Sequence, residues 1–173
     1  VLNGALQCWG KNDFGQTGVN NANLGTLNAN NAPLAVASLA SGLQIIAGGG
    51  SHTCAMVNSA VQCWGSNQYG QLGNIANLGT TSTNVTPVAV AGLVKGVFGL
   101  GEGFVHTCVI VNGGVKCFGS NQYGELGSAT NLGTTTANTS PLAVTNLGAG
   151  SGVTALALGG NHTCAIVNGN VWC

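Results

Sequence analysis

The stretch "HTCAMVNSAVQCWGSNQYGQLG", His52 to Gly73, decides how this chain is read. Two short runs, "HTCAMV" and "AVQCWG", flank Asn58-Ser59, and a two-residue Asn-led link between apolar runs is a strong hairpin signal. The stretch returns as "HTCVIVNGGVKCFGSNQYGELG" from His106 and as "HTCAIVNGNVWC" from His162. The chain opens with "VLNGALQCWGKNDFGQTG", the same unit entered partway through. Equivalent cysteines fall at Cys8, Cys63, Cys117 and Cys173, spaced 55, 54 and 56 residues apart. A fixed period of that size marks an array or a propeller. The units run 9–63, 64–117 and 118–173, preceded at 1–8 by the end of one further hairpin.

Each unit holds the same short elements. An apolar stretch comes first ("LQIIAGG" from Leu43, "GVFGLGEG" from Gly96, "VTALALGG" from Val153), and the hairpin follows. The turns are Asn3-Gly4, Asn58-Ser59, Asn112-Gly113 and Asn168-Gly169. Linkers such as "NLGTTSTNVTPVAV" are rich in turn formers and end in a Pro-led apolar stretch. No helical period is present. The expectation is an all-β chain with three or four short strands per unit.

The hairpin count answers what the cysteines do. With a two-residue loop at 58–59, Val57 faces Ala60 and Cys54 faces Cys63. The same count sets Cys108 opposite Cys117 and Cys164 opposite Cys173. These fall on non-hydrogen-bonded pairs, where Cα atoms approach to about 4.5 Å, within disulfide reach. His52-x-Cys54 with Cys63 also offers three zinc donors, but the CxxC knuckle that usually presents two thiolates is absent. The disulfide is the expected state, and it implies an oxidising compartment: extracellular or cell-surface. Cys8 is left over. Its partner would fall two residues before Val1, so it reads as unpaired by truncation of a longer array and not as a reactive thiol.

Composition narrows function. Charged residues make up 3% of the chain, against about 25% in an ordinary domain. Lys11, Lys95 and Lys116 stand alone and Arg is absent, so no polyanion surface exists and nucleic acid is not an expected partner. Mean hydropathy is +0.34, yet Gly, Asn, Ser or Thr interrupts every apolar run before the roughly 20 residues a spanning helix needs. No membrane span is expected. Neutral polarity replaces charge, with 21 Asn and 30 Gly. A surface of that kind repels its own copies weakly.

Catalytic chemistry has little to draw on. Asp13, Glu102 and Glu125 occupy unmatched repeat positions and suggest no acid/base pair. No nucleophile elbow surrounds a serine, "GLGEG" (Gly99 to Gly103) lacks phosphate-loop spacing, and no loop holds the carboxylates calcium wants. No enzyme activity, cofactor or metal is expected. His52, His106 and His162 share one repeat position and read as structural imidazoles bonding backbone between units. Tyr69, Tyr123 and Phe14 read as packing between units; Trp9, Trp64 and Phe118 read as core. Three sequons begin at Asn84, Asn138 and Asn161. The first two sit in linkers where a glycan could be accepted.

"WGSNQYGQLG" (Trp64 to Gly73), "FGSNQYGELG" (Phe118 to Gly127) and the degraded "WGKNDFGQTG" (Trp9 to Gly18) resemble the RCC1 (regulator of chromosome condensation) repeat. The cysteines make the likeness closest to the bacterial secreted or cell-surface variety. The resemblance covers essentially the whole chain, with Gly65, Gly70, Gly73, Gly119, Gly124 and Gly127 at its structural glycine positions. It implies β-propeller blades of about 55 residues, either part of a larger propeller or an open superhelical array. The loops repeat Asn, Leu, Gly and Thr, which favours stacking of like on like. The expected function is therefore a non-enzymatic extracellular structural protein, associating with copies of itself or further repeats into a fibre, sheath or surface layer. The alternative is a secreted propeller module that binds another extracellular protein or a glycan. Guanine-nucleotide exchange, the founding member's activity, wants charged surfaces and a disulfide-free compartment, and is not expected.

Overall fold

A computed structural model describes residues 5–39 and 41–173; the expected Asn3-Gly4 turn lies outside them. The described residues form thirteen strands and no helix. β1 (Gln7–Gly10) and β2 (Asn30–Ala35) make a two-stranded antiparallel sheet. Blade 1 is β3 (Leu43–Gly48), β4 (His52–Val57), β5 (Ala60–Gly65) and β6 (Val88–Ala89), in that order. Blade 2 repeats it with β7 (Val97–Glu102), β8 (His106–Val111), β9 (Gly114–Gly119) and β10 (Asn138–Ala143). Blade 3 has β11 (Val153–Leu158), β12 (Thr163–Val167) and β13 (Asn170–Trp172). The first strands β3, β7 and β11 pack in succession, and the Pro-bearing strands lie outermost. Proline cannot donate to a ladder, so Pro33 in β2 and Pro141 in β10 belong at edges.

The sequence period and the sheets are out of phase. The breaks at 63/64 and 117/118 fall inside β5 and β9, so each full blade takes its outermost strand from the following unit. This lacing ties neighbouring units together covalently. The turns have left-handed φ at both central residues: Asn58 51° and Ser59 65°, Asn112 52° and Gly113 74°, Asn168 49° and Gly169 81°. That is the type I′ geometry whose twist matches the strands.

The core lies between sheets, and strand alternation explains it. On β8, His106, Cys108 and Ile110 face blade 3, while Thr107, Val109 and Val111 face blade 1. Every residue of β4 and β8 is buried because both faces are covered. One cluster fills the blade 1–2 seam (Met56, Leu72, Val90, Leu93, Phe118 and neighbours), and another fills the blade 2–3 seam around Ile110, Leu126 and Leu147. A third joins Leu6, Val36 and Leu39 to Trp64.

Candidate functional site at the blade seams

Three disulfides close the hairpins, Cys54–Cys63, Cys108–Cys117 and Cys164–Cys173, each with a Cα separation of 4.1 Å. Cys54 and Cys63 are directly paired in the β4–β5 ladder, as are Cys108 and Cys117 in β8–β9. The first two disulfides are fully buried in the seams. Cys8 is the one free cysteine among the described residues. Burial pushes its thiol pKa up, which disfavours the reactive thiolate.

Polar links run across each seam through a side-chain relay. The Thr107 hydroxyl donates its proton to the Gln71 carbonyl (3.0 Å), so toward His52 it accepts, and Nε2–H of His52 is the donor at 2.9 Å. The next seam is the same: Thr163 donates to Glu125 O at 2.8 Å and receives His106 Nε2–H at 3.0 Å. The histidines thus do bond between blades, but to a threonine hydroxyl and not to backbone. Burial pushes His52 down to about 3 and His106 to about 4, so both are neutral at ordinary pH. His162, the third of the set, is exposed.

One residue that motif reading passed over stands in the first of these seams. Glu102 ends β7 with its side chain fully buried, 3.7 Å from His52 Nε2. Burial raises its pKa well above the usual carboxyl range. With His52 pushed down and Glu102 pushed up, the two form a neutral pair and not an ion pair. Neither Glu102 oxygen has a hydrogen-bond partner; the Cys54 and Gly49 amides approach the group from outside bonding geometry. The sequence clue was available: a carboxyl stands where the other blades have Gly48 and Leu158, in a strand that is otherwise apolar.

The aromatic after each hairpin's second cysteine has a dedicated pocket. Trp64 packs on Leu6, Val36 and Leu39 and donates its indole N–H to Gln16 O at 3.0 Å. Phe118 packs on Leu72, Val90, Val61 and Leu93, with Gly73 against its ring edge. At the third seam the equivalents Leu126, Val144, Val115, Leu147 and Gly127 line an open cavity of about 420 Å³. No described aromatic fills it, although Tyr123 and Trp172 border it. Trp9 is 64% exposed and Tyr123 66%, against the expectation of core and packing roles. Trp9 lies on the first sheet and Tyr123 in the β9–β10 loop of blade 2, and no described sheet covers either. Phe14 and Tyr69 are half-buried.

The asparagines also differ from a simple reading of neutral surface polarity. Asn67 and Asn121, each fully buried, close the "SNQYGQLG"-type loops by bonding backbone on both sides of their amides. Asn84 and Asn138 donate to the carbonyls of Gly65 (2.8 Å) and Gly119 (3.0 Å). These two sequon asparagines are buried and cannot take a glycan; Asn161 is exposed. Gly65 and Gly119 sit at φ 104° and 110°. A Cβ there would come within 2.6 Å of Ser51 O and 2.5 Å of Val105 O, so both positions require glycine. Glu125 holds its loop as Gln16 and Gln71 do, accepting the backbone N–H two residues earlier.

Among known proteins, the family described as "Regulator of chromosome condensation (RCC1) repeat" matches residues 60–108 and 112–166, and a second model of that description matches 44–71. The probable E3 ubiquitin-protein ligase HERC4 of Homo sapiens is 33% identical over 165 residues, covering 92% of this chain and 14% of HERC4. The ultraviolet-B receptor UVR8 of Arabidopsis thaliana is 34% identical over 167 residues, covering 91% of this chain and 34% of the receptor. The chain therefore spans a minor part of these relatives. Prp20p of Saccharomyces cerevisiae superposes with a TM-score of 0.74 at 19% identity, over 96% of this chain and 38% of Prp20p. Human WBSCR16 gives 0.75 at 22%, over 99% and 44%. At those identities the solved structures speak for the fold alone. With the family match spanning more than half of its residues, the chain belongs to the RCC1 repeat family.

Proposed function

We propose that this chain is a non-enzymatic structural unit that associates end to end with further blades of its own kind, as an extracellular or cell-surface assembly. The observation that carries this reading is the pair of exposed apolar faces, with Trp9 and Ile46 on one side and Ile166 and Val171 on the other. Scarce charge leaves little repulsion between copies. The hairpin disulfides support an oxidising compartment, in keeping with the cysteine-bearing bacterial secreted variety of the repeat.

A second reading has its own support. Prp20 is described bound to Kap60, and Prp20p by its binding to Gsp1p and histones. A propeller face that binds a different protein is accordingly the alternative, with the same end faces or loop tips as contact surface. Analytical ultracentrifugation over a wide concentration range separates the two. Self-association that weakens when Val171→Lys sets a charge on the end face supports the assembly. A monomer at every concentration, or association indifferent to Val171→Lys, rejects it and leaves partner binding.

A further inference from the structure

The seam between blades 1 and 2 holds a donor set that the other described seams lack. One donor atom each from His52, Cys54 and Glu102 lies within 4.8 Å of the other two. The Cys63 sulfur stands outside that set but is bonded to the Cys54 sulfur. His52 and Glu102 have fully buried side chains, and both Glu102 oxygens lack hydrogen-bond partners. Leaving such groups unpaired in a dry interior costs free energy that a ligand would recover. Imidazole, carboxylate and two thiolates make a set suited to tetrahedral zinc. A tetrahedral zinc would hold N and O about 3.4 Å apart at ordinary bond lengths, close to the 3.7 Å seen between His52 Nε2 and Glu102.

We propose that reducing the Cys54–Cys63 disulfide opens a single zinc site, ligated by His52, Cys54, Cys63 and Glu102. The chemistry balances with a phosphine as reductant. It transfers two electrons to the S–S bond and takes oxygen from water to become the phosphine oxide, and two thiols form. Zinc then displaces the two thiol protons and the carboxyl proton. The His52 proton moves from Nε2 to Nδ1, and the bond to Thr107 is given up. The metal replaces the lost staple and also ties blade 1 to blade 2, which the disulfide, confined to blade 1, does not. The site is single because of position. In the next seam Leu158 stands where Glu102 would be needed, and the Glu125 carboxyl there is bound to the Tyr123 amide, so no matching cluster forms around His106 and Cys108 among the described residues.

The test uses the whole chain, reduced by phosphine under anaerobic conditions and freed of reductant, with the oxidised chain beside it. Cobalt(II) is titrated in, then zinc(II). The expected result is one equivalent bound by the reduced chain, with the visible bands of tetrahedral cobalt and a thiolate charge-transfer band, both abolished by zinc. Glu102→Gln should weaken binding about tenfold or more while leaving the far-ultraviolet circular dichroism of the oxidised chain unchanged. Leu158→Glu should add a second equivalent. If reduction loosens the fold, zinc should restore the β signal at one equivalent. Binding by the oxidised chain, about three equivalents insensitive to Glu102→Gln, or a reduced chain that neither binds nor regains structure would each overturn the proposal.

Discussion

Strand β8 reads "HTCVIV", and the stretch that contains β12 reads "HTCAIV". The two differ by one small apolar substitution and live in different environments. On β8 every side chain is buried. On β12 Ala165 and Val167, which face blade 2, are buried, whereas Ile166 is 38% exposed and the preceding His162 lies in the open. The inward half of the alternation has the same meaning in both blades, and the outward half takes its meaning from whatever packs next. An apolar residue on such a strand is therefore a claim on a neighbour, and the neighbour decides whether the claim is met.

Aromatic truncation should break this symmetry hardest. Phe118→Ala empties a filled seam pocket and should cost about 3–5 kcal/mol; Trp9→Ala, the same repeat position on the open first sheet, should cost less than about 1. Urea unfolding of both variants measures the gap. A Trp9→Ala loss as large as the Phe118→Ala loss would mean that this face is covered in solution.

The disulfides isolate burial from chain entropy. Cys108–Cys117 and Cys164–Cys173 both have a sequence separation of 9, so the loop term should be the same, roughly 2.5–3 kcal/mol. Replacing each pair by alanine should destabilise blade 2 by about 1 kcal/mol more, because the Cys108 and Cys117 sulfurs leave a cavity in a packed seam. Equal losses would show that packing around the sulfur adds nothing.

The histidines should separate in the same direction. His106→Ala leaves the Thr163 hydroxyl without its donor in the seam and should cost about 1–3 kcal/mol. His162→Ala should stay within about 0.5. Thermal unfolding of the two variants reads this directly.

Proton linkage sharpens the comparison within the seams. His52 and His106 are held down at about 3 and 4. The unfolded chain binds their protons below about pH 6.5 and the fold refuses them, so their contribution is full above that value and falls as pH drops toward 3–4. Glu102 has the opposite sign. Its raised pKa keeps a proton that the unfolded chain releases above about 4.5, so its contribution falls as pH rises. Each proton weighs about 1.4 kcal/mol per pH unit, and two histidines outweigh one carboxyl between 4.5 and 6.5. Stability should peak near pH 6.5, and Glu102→Gln should flatten the alkaline side and steepen the rise between about pH 4.5 and 6.5. A peak that Glu102→Gln does not move would place the alkaline loss elsewhere.

Local chemistry made much of the fold legible. The Asn-Gly and Asn-Ser turns demand left-handed φ, a two-residue link fixes register, and register alone sets Cys54 across from Cys63. The period of about 55 residues and the "WGSNQYGQLG" signature follow the same short-range logic. Other features resisted. The asparagines looked like surface, yet Asn67 and Asn121 are buried, because an amide that satisfies backbone on both sides can be buried at little cost. Trp9 looked like core and Tyr123 like packing between units, and both are exposed, because burial belongs to the neighbouring elements and not to the residue.

Period, strand order, turn type and cysteine register are short-range properties, and the amino-acid order carries them within a few residues of each site. The phase of the blades against the repeat, the His–Thr–carbonyl relay across 55 residues and the meeting of Glu102 with His52 belong to the packing of one sheet on the next. A relay needs two blades at a fixed spacing, and no pattern inside one blade specifies that spacing. Glu102 shows this most clearly: in sequence it is a lone carboxylate in a glycine-rich run, and only the seam makes it the buried partner of a histidine 50 residues earlier.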